Sequence, residues 1–231
     1  AYAVQIYCDF SAYTDIAIAI AALCGFRFPR NFNQPYRSLR LREFWQRWHM
    51  SLSFWLRDYL YKPLGGNRHG RLKTYGNLII TMLLGGVWHG AAWKFVMWGA
   101  LHGGGLAVER MLAPQRPVSR AAKLVSWLVV FHFVCLAWIF FRAEDFTVAS
   151  VFITGLAHGW REPIQQAQPA MVALILVGFA GQFLPPGSFE RVGQALTRVP
   201  YWGLGAATGL LLAAINALGP EGIAPFIYFR F

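Results

Sequence analysis

Arg47-Trp48-His49-Met50-Ser51-Leu52-Ser53 and, beyond a basic, Gly-containing loop, Gly86-Val87-Trp88-His89-Gly90-Ala91-Ala92-Trp93 are the stretches that decide how this chain is read. Each places a histidine directly after a tryptophan, at the edge of an apolar run. A polar group in or near hydrocarbon is expensive, so it marks function by default. Imidazole also titrates near neutral pH and can carry a proton in either direction.

The surroundings of these stretches are built for lipid. Of 231 residues, 56% are apolar, 16% aromatic and only 13% charged, against about 25% charged in soluble domains. A helix needs about 20 mostly apolar residues to cross hydrocarbon. The apolar runs here are too long and continuous for barrel strands, which leaves helices. The expected fold class is therefore all-α, a polytopic integral membrane protein. Candidate spans cover residues 3–25, 74–88, 91–112, 121–142, 168–184 and 201–219. Several are short, so tilted or re-entrant helices are expected among them.

Leu39–Tyr61 is different, because Arg40, Arg42, Glu43, Arg47, Arg57 and Asp58 alternate with Leu41, Phe44, Trp45, Trp48, Leu52, Phe54, Trp55 and Leu56. The mixture predicts one amphipathic helix at the interface or dipping into the protein. Four-residue spacing on that helix puts Trp45 and Ser53 on the face of His49. Residues 144–160 predict a second such helix, opened by Glu144-Asp145 and broken after Trp160. Loops are marked by Pro29, Pro35, Pro63 to Asn67, Pro114 to Pro117 and Pro185-Pro186-Gly187. No repeat is visible, and residues 1–231 read as one membrane domain. The opening Ala1-Tyr2-Ala3-Val4-Gln5-Ile6 lacks a charged leader and resembles a helix interior, as expected of the C-terminal part of a longer chain.

The formal charge is +11, and eleven of the 21 Lys and Arg lie between Arg27 and Lys73. This is a basic collar between apolar segments rather than a face on a globule, which argues against nucleic acid. The collar reads as cytoplasmic. It also suits anionic lipid heads or the phosphates of a cofactor, with topology alone as the other reading.

His89 is the leading candidate for chemistry: Gly90 lets the backbone turn and a substrate approach, and Trp88 and Trp93 flank it. The alternative is an interfacial histidine with a satisfied hydrogen bond. His49 sits among Trp45, Trp48, Ser51 and Ser53, a setting for an apolar chain with a polar end, or for a histidine at the headgroups. Leu101-His102-Gly103-Gly104-Gly105 resembles an oxyanion loop of lipases, but no Gly-x-Ser-x-Gly elbow exists, so helix packing is the better reading of these glycines. His132 reads as a packed helix histidine. Asp9 and Asp15 interrupt the first apolar run and must face protein or water. Hydrogen bonds to Ser11, Tyr13 and Thr14 are favoured there over an ion path. Cys8, Cys24 and Cys135 read as small core residues. Spacings for a metal, a dinucleotide or a P-loop are absent.

Six stretches together carry a resemblance. They are Asp9-Phe10-Ser11-Ala12-Tyr13-Thr14-Asp15, Asn31-Phe32-Asn33-Gln34-Pro35-Tyr36, Phe44 to Ser53, Trp55 to Tyr61, Pro63 to Arg68, and Gly85-Gly86-Val87-Trp88-His89-Gly90. In this order they resemble the membrane-bound O-acyltransferase family, and within it the branch that acetylates exported bacterial polysaccharides such as alginate. The likeness is dense over residues 9–110. Beyond Pro117, through the helices expected in 121–219, it rests on hydropathy and the ending Pro225 to Phe231.

The resemblance implies a helical bundle around a tunnel, in a multi-pass protein of the bacterial inner membrane. It maps the family's invariant histidine onto His89 and its second site onto His49. His89 would then take a proton from the accepting hydroxyl or thiol, and His49 would orient the acyl carbonyl or hydrogen-bond the oxyanion. Acetyl-CoA is the implied donor, its phosphates held by cations of the collar such as Arg40, Arg42 and Arg47. The implied partners are membrane lipid and a periplasmic acetyltransferase or polysaccharide-secretion proteins. The rivals are D-alanyl or other acyl transfer to a different envelope polymer, and a transporter or scaffold in which Asp9 and Asp15 are the sensitive residues.

Overall fold

A computed structural model describes residues 1–112, 119–158 and 168–218. Every regular element among them is helical. The loop expected at Pro114 to Pro117, the break after Trp160 and the ending Pro225 to Phe231 lie outside the described residues. Two compact units divide the chain, Ala1–Gln182 and Phe183–Phe231.

In the first unit, α1 is Tyr2–Leu23, α2 Leu41–Trp45, α3 Met50–Leu56, α4 Arg71–His89, α5 Trp93–Leu112, α6 Arg120–Arg142, α7 Phe146–His158 and α8 Pro169–Ala180. The second unit contains α9, Ser188–Leu196, and α10, Tyr201–Leu218. All six candidate spans are helices. Two of them, α1 and α6, are long and apolar enough to cross a membrane. Helices α4 and α5 have 19 and 20 residues but do not reach that apolarity, because Arg71, Lys73, Asn77, Lys94, Glu109 and Arg110 interrupt them. Helix α7 forms where the second amphipathic helix was expected but is apolar along its length, and Asp145 Oδ1 accepts from Val148 N at 2.8 Å to open it.

Helix α5 packs between α4 and α6, and α1 packs on α6 and α8. The α4–α5 hairpin is tight because glycines face backbone: Gly99 lies against Met82 and Leu83, Gly103 against Ile79, and Gly86 against Phe95. Gly103 therefore serves close packing, as read from the sequence, and Gly86 and Gly99 do the same, whereas Gly104 has open space beside it. Gly99→Val drives a side chain into the Met82–Leu83 backbone. It is expected to destabilise the full-length protein by about 1–3 kcal/mol, read as a lower midpoint of thermal unfolding in detergent.

The core between these helices is aromatic. Phe44, Trp48, Phe95, Trp98, Trp138 and Phe141 are all buried. Trp48 stacks on Phe44 with centroids 5.7 Å apart and meets Trp138 at 5.1 Å. Polar ties cross this core where the chain would otherwise strand a donor. Tyr36 Oη donates to Ala3 O at 2.7 Å, and Trp127 Nε1 donates to Tyr36 O at 2.8 Å.

The single amphipathic helix expected over Leu39–Tyr61 is corrected. The helix stops at Trp45, and His49 takes a left-handed conformation, φ 44° and ψ 56°. Helix α3 then begins and widens into a π-helical turn over Arg57–Tyr61, where Lys62 N donates to Arg57 O at 2.9 Å. The break has no glycine or proline to announce it. Tertiary hydrogen bonds from the preceding segment impose it: Asn33 N donates to Arg47 O and Met50 N donates to Asn31 O, both at 2.9 Å. Trp45 and Ser53 consequently do not share a helical face with His49.

Other side chains depart from expectation for equally local reasons. Ser11 and Thr14 donate to backbone carbonyls of their own helix, Cys8 O at 3.4 Å and Phe10 O at 2.7 Å. His132 is exposed rather than packed, its Nδ1 2.8 Å from Leu128 O. Cys8 and Cys24 lie on the exposed surface.

Candidate active site

Helix α4 organises the site. Its first twelve residues, Arg71 to Met82, span about 17 Å, and His89 lies two turns or about 10 Å further along the axis. A cavity of about 890 Å³ opens along the first part, lined on this helix by Arg71, Tyr75, Leu78, Thr81 and Met82. Opposite are Arg40 and Arg42 of the α2 start, Ser53, Phe54, Leu56 and Arg57 with Tyr61 and Lys62, and Leu106, Glu109 and Arg110 near the end of α5. A smaller hollow of about 300 Å³ lies at the turn beyond His89, lined by Val87, Gly90, Trp93 and Val96 among others.

The larger cavity is rimmed with cations over an apolar floor. Arg40, Arg42, Arg57, Lys62, Arg68, Arg71 and Arg110 line it, against the single acid Glu109. Glu109 is committed elsewhere, its two oxygens accepting from Leu41 N at 2.6 Å and Arg42 N at 3.1 Å. Asp58 pairs with Arg57 at 2.7 Å and Lys62 at 2.6 Å. Arg57 first, then Lys62, holds its carboxyl well below the usual range, so it stays ionised. Leu56, Leu78, Met82 and Trp45 form the apolar part. Such a space accepts a molecule with an anionic head and an uncharged arm. Of the three arginines singled out in sequence, Arg40 and Arg42 line the cavity. Arg47 does not: it pairs with Glu43 at 2.9 Å and donates to Asn33 O at 3.1 Å.

Trp45 separates the cavity from the core. Its indole N–H donates to His102 Nδ1 at 3.3 Å, and its ring meets Trp98 at 5.6 Å. Trp98 in turn meets His89 at 5.1 Å. His89 is thus one ring behind the cavity wall, half-buried, with Phe141 at 5.1 Å, Trp88 at 5.0 Å and Phe95 at 6.3 Å. Trp88 was expected as a wall and is one. Trp93 is 76% exposed, and the other walls are Trp98 and Phe141, which sequence spacing did not reveal. Gly90 is small for a packing reason, since a Cβ there would come within 2.5–2.9 Å of the Phe95 ring.

His49 joins His89 through Trp88, whose ring lies 6.3 Å from His49. Phe10 of α1 covers another side of the imidazole, edge to face at 4.8 Å. The Nδ1 atom of His49 lies 3.3 Å from Asn31 Oδ1. Burial pushes its pKa down to about 4, so the ring is neutral at pH 7 and able to accept a proton. His102 is fully buried and holds Trp45, but does not line the cavity. Accepting from an indole requires its Nδ1 to be unprotonated, which makes it a neutral packing partner rather than an acid.

An all-helical membrane protein with two histidines on a shared aromatic wall, one of them two helical turns beyond a basic cavity, is what this geometry defines. Residues 1–149 match the membrane-bound O-acyltransferase (MBOAT) family, and the chain belongs to it. Over 149 residues it is 54% identical to a probable alginate O-acetylase AlgI of Azotobacter vinelandii, covering 64% of this chain and 30% of that protein. A protein of the same description from Pseudomonas fluorescens is 39% identical over 281 aligned positions, covering the whole of this chain and 56% of the relative. A peptidoglycan O-acetyltransferase of Helicobacter pylori is 46% identical over 157 residues, covering 67% and 30%. The chain thus spans between about a third and a little over half of these relatives.

Proposed function

We propose that the full-length protein is a membrane O-acyltransferase that passes an acetyl group from acetyl-CoA toward an exported polysaccharide such as alginate. The observation that carries this reading is the placement of a seven-cation cavity along α4, with His89 at the end of the same helix and His49 joined to it through Trp88. Phosphates and the adenine end of the donor match the cationic rim, and the uncharged arm carrying the thioester matches the apolar floor. The two imidazoles supply what transfer needs in a water-poor setting. One takes the proton of the accepting group while the other faces the acyl carbonyl. The basic collar then lies on the cytoplasmic side of the bacterial inner membrane, and a periplasmic acetyltransferase or secretion protein receives the group beyond it.

Acetyl content of the exported polymer, with and without the full-length gene, tests the reading. Deletion is expected to remove the acetyl groups, and restoring the gene to return them. Unchanged acetylation with loss of D-alanyl esters would establish the D-alanyl rival instead. A transporter or scaffold would show sensitivity at Asp9 and Asp15 and indifference at both histidines.

A further inference from the structure

We propose that Asn31 is a positioning residue that holds the neutral His49 imidazole with its proton on Nδ1, so that Nε2 is the atom that takes the proton of the accepting group. The tautomer rests on geometry alone, and the catalytic consequence rests on the acyl-transfer reading above. Asn31 is buried. Its Oδ1 lies 3.1 Å from Ser51 N, 2.9 Å from Ser51 Oγ and 3.3 Å from His49 Nδ1. A backbone N–H can only donate, so the Ser51 amide fixes which end of the Asn31 side chain faces this cluster: the oxygen. The Ser51 hydroxyl gives its proton to the same oxygen, which leaves a lone pair toward His49 Nδ1, 3.4 Å away. Both groups facing Nδ1 are acceptors. A neutral imidazole carries one N–H, and only Nδ1–H satisfies them, leaving the lone pair on Nε2.

The backbone is arranged to hold that ring. His49 is not glycine yet sits at φ 44°, a left-handed conformation that the surrounding contacts must hold against its steric cost. Asn31 O accepts from Met50 N on one side of His49, and Asn33 N donates to Arg47 O on the other. Phe10 and Trp88 then set the ring plane. His89 on α4 is a titratable neighbour with which His49 interacts electrostatically.

An Nε2 lone pair repels a developing oxyanion, so neutral His49 does not fill the oxyanion role that the family resemblance allowed for it. It suits the opposite one. The accepting hydroxyl gives its proton to Nε2 while its oxygen bonds the acyl carbon. The thioester C–S bond breaks, and the donor sulfur leaves as thiolate and takes that proton from the imidazolium.

The test uses the full-length protein in membranes with ¹⁵N-labelled histidine, His49→Gln identifying the His49 signals. The ring is expected to show Nδ1–H at neutral pH, and an Nε2–H ring in the wild type overturns the proposal. In parallel, Asn31→Leu is expected to lower kcat about a hundredfold with the acetyl-CoA KM unchanged. Asn31→Asp keeps the acceptor. Its carboxylate favours imidazolium, so kcat is retained and the acid limb of the pH–rate profile moves up by about one pH unit. An acid limb that stays at the wild-type position makes Asn31 a folding anchor only and overturns the proposal. If the ring shows Nδ1–H yet His49→Ala and His89→Ala both transfer acetyl at the wild-type rate, the proton-taking role falls together with the acyl-transfer reading.

Discussion

Replacing His89 by alanine is expected to abolish acetyl transfer while the full-length protein remains at wild-type abundance in the membrane. The side chain occupies a half-buried place among Trp88, Phe95, Trp98 and Phe141. Truncation therefore removes contacts as well as the imidazole. The packing share is bounded, since substitutions of this kind cost about 1–3 kcal/mol and leave a protein of this size assembled. The chemical share is larger in rate: loss of a proton-transferring or charge-stabilising group lowers turnover about 100- to 10,000-fold. His89→Phe separates the two, because it restores a ring against Trp98 and Phe141 but offers no nitrogen. Acetyl incorporation and membrane abundance, measured side by side, are expected to show both variants present and both inactive. Activity restored by phenylalanine would make His89 a wall residue and would move the chemistry elsewhere.

The residues proposed for the chemistry could be singled out in the sequence because their signal is local. A Trp-His pair at the edge of an apolar run is visible without a fold, and so is a cluster of cations between two such runs. What surrounds His89 was not legible. Trp98 and Phe141 come from α5 and α6, and no spacing within a helix links them to the end of α4. The break at His49 was invisible for a related reason. The segment from Leu41 to Leu56 has good helical composition, and only the pairing of Asn31 and Asn33 with Met50 and Arg47 overrides it. Asn31 itself drew attention only as part of a motif, since its partners His49 and Ser51 lie far along the chain and nothing beside it announces them. Helices α4 and α5 fall short of the apolarity of α1 and α6, because polar residues that face the cavity or tie the loop dilute the apolar run. Asn77 is one of these, its Nδ2 donating to Leu64 O at 3.1 Å and Gly66 O at 2.9 Å.

The arginines give the second large effect, and here the fold divides what the sequence grouped. Arg40 and Arg42 line the cavity, whereas Arg47 is held by Glu43 and Asn33. Arg40→Gln with Arg42→Gln is expected to raise the acetyl-CoA KM at least about tenfold, two charge-assisted hydrogen bonds to phosphate being worth more than one factor of ten. The kcat should stay within about twofold of wild type, because neither arginine reaches the histidines and a lost ground-state contact acts on binding. Raising the ionic strength should weaken donor use in the wild type and do less in the double variant, since screened cations are the ones removed. Arg47→Gln should leave that KM unchanged. Its loss acts on the Glu43–Arg47–Asn33 tie next to the His49 break, so any defect belongs in kcat. Equal KM effects from Arg47→Gln and the Arg40/Arg42 pair would place the donor phosphates outside the α4 cavity, on the segment that carries His49.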